Sequence, residues 1–548
     1  MRELGAGLRV GVLLWAAVAG ICSVGWGQSA GLAGQIEGLL ADPVVARAHW
    51  GIMVTAMDGS PIYAMNAGQL FQPASNAKLF TTAAALAIMG GGATFETKVM
   101  ATGIFSGTER LQGNLILVGG GDANLSGRAV PYVAPALRPK AAPGAPALAE
   151  PDPLRYLAQM ADGIAATGLK VVNGDVVGDD RLFRWEPYAE DWSIDDTVWG
   201  YGAPVSALSI NDNQLKVTVT PGAAVGTPAT VMIDPAAAYY TLDVSGLRTG
   251  VAKTGSHVQM ERALGSKVLR LYGTIAVDAP PNVEEVAIHD PAEYAAMALK
   301  ELLEARGIVV SGVARARHLI PDETKGFLEQ VKEGVPAGSL GGGIGCAVAA
   351  DGGSASQVEE RVIASHRSAP LAEDVVVTNK VSQNLHAEML LRDLARRSPT
   401  SLCDRGWTIA EGAQVIRAFL TTMVGIDKDD FVFFDGSGLS GHDLVAPRAT
   451  VRLLRYASTQ PWFADWKRSL PVGGEDGSLI ERFGKVPLKD HVFAKTGTLG
   501  EARALSGYLD CASGKTVIFS IMVGNHMPRS NADREAMDKI VAAIAAAN

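Results

Sequence analysis

The sequence predicts a multidomain α+β protein, and three observations predict it. At 548 residues the chain is too long for one ordinary hydrophobic core, so two to four domains are expected. Strand-like runs bounded by turn residues lie near both ends, at Gly51–Met57, Pro61–Met65, Val492–Lys495, Leu505–Asp510 and Thr516–Val523. Between them, residues 96–320 change texture, mixing helix–strand units with short strands and Gly-rich turns.

The first element is a leader. Arg2 and Arg9 flank an apolar run from Val10 to Val24, followed by small residues around Gly27, the outline of a secretory signal over residues 1–27. Its apolar core is too short for a comfortable transmembrane span, and the bulky Ile21 before Cys22 argues against a lipid-anchor site. A periplasmic or secreted protein is expected, with no stable membrane span after signal cleavage; an uncleaved anchor and loose membrane association stay open. The hydrophobic share of 48% is globular, and a formal net charge of −9 gives no support to nucleic acid as a partner. Beyond the leader, Cys346, Cys403 and Cys511 allow one disulfide at most, and the nine His lack ligand spacing, so neither metal nor cofactor is expected.

The hairpin Gly51–Met65 turns at Asp58-Gly59-Ser60 and runs into Phe71-Gln-Pro-Ala-Ser-Asn-Ala-Lys78. Pro73 and Ser75 predict a helix start, Gly90-Gly91-Gly92 its stop, and the Ala-rich run between them is apolar on nearly every face, which predicts a buried helix. With the helix beginning at Ser75, Lys78 shares its face, beside the free N–H groups of the helix start. A buried amine held against a hydroxyl loses solvation and basicity, which is how a lysine activates a serine. A lone Ser-x-x-Lys far more often marks an N-cap serine with a surface lysine, so the weight falls on what else the chain carries.

Residues 129–153 hold seven prolines among alanines, a flexible or polyproline-like loop. Two helix–strand units follow, Leu154–Val172 and Ala292–Gly312, consistent with a weak internal repeat or with two ordinary units. Residues 205–290 alternate strands and turns. The expected domains are therefore 30–95 with 366–548, an insert of 96–204 with 291–320, a β-rich subdomain 205–290 nested in it, and a linker or loop over 321–365. In the second half a helical stretch, Val375–Arg397, breaks at Ser382-Gln-Asn384, Phe431–Phe434 runs into Asp435-Gly-Ser-Gly-Leu439, and a last helix, Asn531–Ala547, has Asn531 as its cap.

Three motifs thus occur in order: Ser75-Asn-Ala-Lys78, Ser382-Gln-Asn384 and Lys495-Thr-Gly497-Thr498. Ser-x-x-Lys with Ser-x-Asn and Lys-Thr-Gly is the signature of penicillin-binding proteins and serine β-lactamases. With Leu117-Val-Gly-Gly-Gly-Asp122, Asn379–Met389, Asp435–Ser440 and Leu505-Ser-Gly-Tyr508, the chain resembles the low-molecular-weight class C penicillin-binding proteins, the D-alanyl-D-alanine carboxypeptidase/endopeptidases of the S13 peptidase family. The long separation of Ser75 from Ser382 fits that family, which places large extra domains between its first two motifs.

The resemblance implies an antiparallel sheet flanked by helices, carrying large inserted mixed α/β and β-rich domains. It implies Ser75 as nucleophile, Lys78 as general base, Ser382 relaying protons to the leaving amine, and Asn384 binding the substrate amide. Lys495 would meet the substrate carboxylate, with Thr496, Gly497 and Thr498 along the same strand and the N–H groups of Ser75 and Thr498 as an oxyanion hole. Asp179 and Phe183 match a family segment near the pocket that reads the stem side chain. The implied partners are peptidoglycan peptides as substrates and β-lactams as covalent inhibitors. The chain departs from the pattern at Gly441, where members that cut cross-links often carry Arg, and at Gly500, where they carry Gln. Rival readings are a β-lactamase or esterase on the same fold, and a catalytically silent wall-binding protein. A duplicate Lys253-Thr-Gly255 lies before Ser382 and is expected at an exposed turn, outside the site. His386 is expected as a packed helix residue.

Overall fold

The computed structural model describes residues 29–134, 137–139, 151–235, 239–333, 359–396 and 408–548. The leader, most of the Pro-rich stretch, residues 334–354, Cys346 and Cys403 lie outside these. Among the described residues Cys511 is a free, buried thiol, and no helix is long and apolar enough to cross a membrane.

The described chain opens with helix α1 (Ser29–Leu40) and the antiparallel hairpin β1 (His49–Ala56) and β2 (Pro61–Met65). The Asp58 carboxylate accepts the Ser60 N–H at 2.8 Å and closes the turn. A 3₁₀ turn, Ala74–Asn76, leads into α2 (Ala77–Met89), which stops at Gly90. The α-helix thus begins two residues later than expected, because Pro73 and the left-handed Ala74 (φ 46°) tighten the chain around Ser75 first.

The hairpin β3 (Glu96–Ser106) and β4 (Arg110–Val118) starts the region expected as the insert, so called below. Helix α3 (Arg155–Ala166) leads to β5 (Val171–Val172) and β6 (Val176–Arg184). Six strands follow: β7 (Gln214–Thr220), β8 (Thr230–Asp234), β9 (Thr241–Gly250), β10 (Ser256–Glu261), β11 (Val268–Ala276) and β12 (Asn282–Ala287), in two three-stranded sheets. Helix α4 (Pro291–Glu304), capped by Asp290 and with Pro at its first position, leads to β13 (Val309–Val310) and β14 (Ala314–Leu319). The two helix–strand units noted in the sequence lie side by side in one sheet, β13 pairing parallel to β5 (Val309↔Val171) and β14 to β6 (Ala314↔Val176).

Residues 321–365, expected as a linker, instead hold α5 (Phe327–Glu333) and the start of β15 (Glu359–Arg367), which pairs antiparallel with β3. β15 is the edge strand of the insert's sheet. Its sequence, Glu-Glu-Arg-Val-Ile-Ala-Ser-His-Arg, carries the charge that edge strands use against further pairing, and that charge reads as loop.

The chain then forms α6 (Leu371–Lys380), α7 (Asn384–Ala395), α8 (Ile409–Ala418), the short pair β16 (Phe431–Val432) and β17 (Leu444–Val445), α9 (Pro447–Ala457) and α10 (Phe463–Ser469). It ends in β18 (Val492–Thr498), β19 (Ala502–Asp510), β20 (Thr516–Gly524) and α11 (Ala532–Ala547). Asn531 makes no side-chain cap; Ser530 Oγ accepts the Ala532 N–H instead, at 3.2 Å. The last strands join the first in one five-stranded sheet of order β18-β19-β20-β1-β2, antiparallel throughout. Alternate residues face two cores. Ala504, Tyr508, Ile518 and Met522 pack with α2 and α9, whereas Leu505, Leu509, Ile521 and Val523 pack with α1 and α11. Burial on both faces explains why these strands read as continuous apolar runs.

Candidate active site

Ser75 stands where three backbones converge. Its turn, at the head of α2, lies against β18 on one side and the Asp435–Ser440 loop on the other. A Cβ at Gly497 would fall 2.4 Å from Pro73 O and 3.1 Å from Ser75 N, and one at Gly438 only 1.8 Å from Ala74 O. Both positions must be glycine for the chain to approach this closely. Asn76, fully buried, donates from Nδ2 to Lys495 O at 3.0 Å and ties the turn to the strand.

Lys78 points back along α2 at the serine. Its Nζ lies 2.9 Å from Ser75 Oγ, 2.6 Å from Asn384 Oδ1 and 2.7 Å from Ser437 O. The side chain is fully buried, and desolvation pulls the amine from 10.5 down to about 7 against the opposing field of the Asp435, Glu388 and Asp443 carboxyls. Once unprotonated, an amine so placed has a lone pair free to take a proton from Ser75 Oγ while its two N–H groups donate to Asn384 and Ser437.

The Asp435–Ser440 loop that supplies Ser437 O is wrapped around two buried carboxylates. Asp435 accepts the N–H groups of Ser437 (3.1 Å), Gly438 (2.6 Å) and Ser440 (2.7 Å) and the Trp192 indole (2.9 Å). Glu388 accepts those of Gly436 and Ser437, both at 2.8 Å, and pairs with Arg392 at 3.1 Å. In the sequence Glu388 and Asp435 both fall within motif segments, Asn379–Met389 and Asp435–Ser440, with nothing there to assign them a role. The spacing signal was present for Glu388, which follows Asn384 by one helical turn and shares its face.

The opposite wall comes from the break between α6 and α7. Ser382 has a left-handed backbone (φ 64°), and Lys495 Nζ donates to its Oγ at 2.8 Å and to Thr496 O at 2.9 Å. Burial, and then the neighbouring Lys78 amine, hold the Lys495 amine well below its ordinary value. Asn384 Nδ2 donates to Tyr201 O of the insert at 2.8 Å. Thr496 Oγ1 lies 2.7 Å from Ser478 Oγ, and Thr498 is exposed at the end of β18. The structure therefore brings Ser75, Lys78, Ser382, Asn384 and Lys495 together, with Thr496–Thr498 on the bordering strand.

Asp179 and Phe183 both lie on β6, each engaged by other side chains of the protein. The Asp179 carboxylate, little exposed, is already held by Arg181 (3.0 Å) and Arg317, so it is not free to meet a substrate ammonium. Phe183 is buried against Leu385, Met389 and Ala395 of α7, a core position. Lys253 is exposed in the turn between β9 and β10, its N–H bonded to Asp278 (2.8 Å). At Gly441 a Cβ would lie 2.7 Å from Asp191 Oδ2, so Asp191 occupies the space a side chain there would need; at Gly500 a Cβ would meet nothing within 4 Å.

Comparison with known proteins identifies the family and the fold. The model of the D-Ala-D-Ala carboxypeptidase 3 (S13) family matches residues 32–323 and 341–546. A D-alanyl-D-alanine carboxypeptidase from an Actinomadura strain is 32% identical over 505 residues, covering 90% of this chain and 80% of the relative. The D-alanyl-D-alanine carboxypeptidase DacB of Haemophilus influenzae is 23% identical, over 86% of this chain and 84% of its own. The crystal structure of penicillin binding protein 4 (dacB) from that organism superposes with a TM-score of 0.71 at 21% identity, covering 92% of this chain and 97% of the other, and establishes the common fold. A second structure of that protein, complexed with a novel β-lactam, gives 0.66 at 20% identity over the same shares.

Proposed function

The chain belongs to the D-Ala-D-Ala carboxypeptidase 3 (S13) family, and from that footing we propose that it is a serine-type carboxypeptidase that removes the terminal D-Ala of peptidoglycan stem peptides through a Ser75 acyl-enzyme. The observation that carries the reading is the buried Lys78 amine, 2.9 Å from Ser75 Oγ and lowered to about 7. At neutral pH such an amine is partly unprotonated and takes the serine proton as the Oγ–carbon bond forms on the penultimate D-Ala carbonyl. The oxyanion that develops faces the N–H groups of Ser75 and Thr498. Collapse breaks the C–N bond, and the proton reaches the leaving amine through Ser382, whose hydroxyl is held by Lys495. Water then hydrolyses the ester.

The substrate's terminal carboxylate is assigned to Lys495. An arriving carboxylate favours the charged amine that burial disfavours, so binding restores the positive charge. A D-Ala–diaminopimelate cross-link also presents an α-carboxylate beside its leaving amine, so the endopeptidase reaction uses the same groups. β-Lactams acylate Ser75 by the same attack. The reading places the protein outside the cytoplasm with its substrate, in agreement with the signal expected over residues 1–27.

The pH dependence follows from the base. Below about 7 the Lys78 amine holds its proton, so acylation is expected to fall about tenfold per pH unit there and to level off above. A flat profile between pH 5 and 9, measured with a chromogenic β-lactam, would remove Lys78 as the base. The two Lys-Thr-Gly copies make a matched pair. Lys495→Ala is expected to lower kcat/KM for an acyl-D-Ala-D-Ala peptide by roughly 30- to 10³-fold, the worth of a charge-assisted carboxylate contact. Lys253→Ala should retain activity, with stability within about 0.5 kcal/mol. The reverse outcome would reassign the motif.

A further inference from the structure

The contacts of Asn384 with Lys78 and of Ser382 with Lys495 both depend on the position of a three-residue loop, Ser382 to Asn384. Local preference does not fix that loop, since Ser382 is left-handed. It is fixed from the insert. Two residues past Asn384, the fully buried His386 places Nδ1 2.6 Å from Asp374 Oδ1 on α6 and Nε2 3.1 Å from Asp212 Oδ1 in the turn Asn211–Asn213. A ring with a carboxylate oxygen at each nitrogen donates from both, as the imidazolium. Burial opposes that charge, and the Asp374 and Asp212 carboxylates outweigh it, raising the ring to about 9.

Asp212 reaches the loop a second way. Its other oxygen accepts Gln383 Nε2 at 2.9 Å and the Arg128 guanidinium, while Gln383 Oε1 accepts the Leu385 N–H (3.1 Å) at the head of α7. Asp374 Oδ1 also accepts Asn124 Nδ2 of the insert at 3.0 Å. The turn bearing Asp212 is itself unusual: Asn211, Asp212 and Asn213 all have positive φ (51°, 55° and 53°). Such backbone persists where surroundings over-determine it. Here the Asn213 side chain does so, donating to Pro204 O (2.9 Å) and Ser209 Oγ (3.1 Å) and accepting Ile210 N–H (3.1 Å).

We infer that Asp212 and His386 are positioning residues, and that the buried Asp212–His386–Asp374 clamp is the device by which the inserted region sets the Ser382–Asn384 loop against Lys78 and Lys495. The inference rests on the acyl-enzyme reaction proposed above. The molecule supplies its own control. His318 makes the same pair of contacts, with Asp180 Oδ1 (2.9 Å) and Asp290 Oδ2 (3.1 Å), but joins β14, β6 and the cap of α4, with none of the residues of the site.

The test measures the rate constant of acylation by a fluorescent penicillin, together with the melting temperature, for the wild type, Asp212→Ala, His386→Gln, Gln383→Ala and His318→Gln. Asp212→Ala and His386→Gln are expected to acylate on the order of 10²-fold more slowly, the usual consequence of displacing reacting groups by about 1 Å. His318→Gln should melt earlier yet acylate at the wild-type rate. Gln383→Ala, which cuts the half-buried link to Asp212 and the cap on the Leu385 N–H, should stay folded with a slightly lower melting temperature and acylate several-fold more slowly, so the test survives if a buried variant fails to fold. The clamp is overturned if Asp212→Ala and Gln383→Ala acylate within twofold of the wild type, or if His318→Gln slows acylation as much as His386→Gln does. A wild-type protein that takes no penicillin overturns the acyl-enzyme reaction itself, and the clamp's role falls with it.

Discussion

Ser75→Ala is expected to lower D-Ala release by about 10⁶-fold, the loss found when an activated serine is removed from a serine hydrolase, and to abolish covalent capture of penicillin. The substitution deletes one oxygen from a half-buried side chain whose bond is to Lys78. Neither the turn nor its close approach to Gly438 and Gly497 depends on that oxygen, so the fold is expected to be retained. Melting the variant beside the wild type separates a dead site from an unfolded chain. Residual activity near the wild-type rate would move the nucleophile elsewhere.

Lys78→Met carries the second large effect. Methionine fills a similar volume and supplies no base, so acylation is expected to slow by about 10²–10⁴-fold, the range for a positioned general base. Two stability effects oppose each other here. The variant leaves Asn384 Oδ1 and Ser437 O without their donor, but it also removes an amine that burial disfavours. The melting temperature reads their balance and the acylation rate reads the base. Acylation within tenfold of the wild type would assign the serine proton to another group.

The parts of this site that chemistry ties to short spacing were legible in the sequence. Ser75 and Lys78 are one helical turn apart, Ser382 and Asn384 share one loop, and Lys495 ends an apolar run. The strands of the terminal sheet were also legible, as strand-like runs near both ends of the chain, whereas its antiparallel form flanked by helices came from the resemblance. What stayed hidden depends on distant partners. Asp179 was assigned from the resemblance alone, and of the two arginines that hold it only Arg181 is local, since Arg317 lies 138 residues on. Trp192 and Tyr201 reach Asp435 and Asn384 from the insert, across 243 and 183 residues. No local pattern announces such meetings. His386 read correctly as packed, but its two carboxylate neighbours, which make it a clamp rather than filler, come from other elements. The strand Glu359–Arg367 failed for a different reason, because the charges that protect a sheet edge are those that mark a loop.

The most direct measurement is the mass of the intact protein after exposure to benzylpenicillin, followed by peptide mapping. The account predicts one adduct per chain, of the mass of the whole antibiotic, on the peptide containing Ser75 and absent from Ser75→Ala. An unmodified protein, or an adduct on a peptide without Ser75, would contradict it.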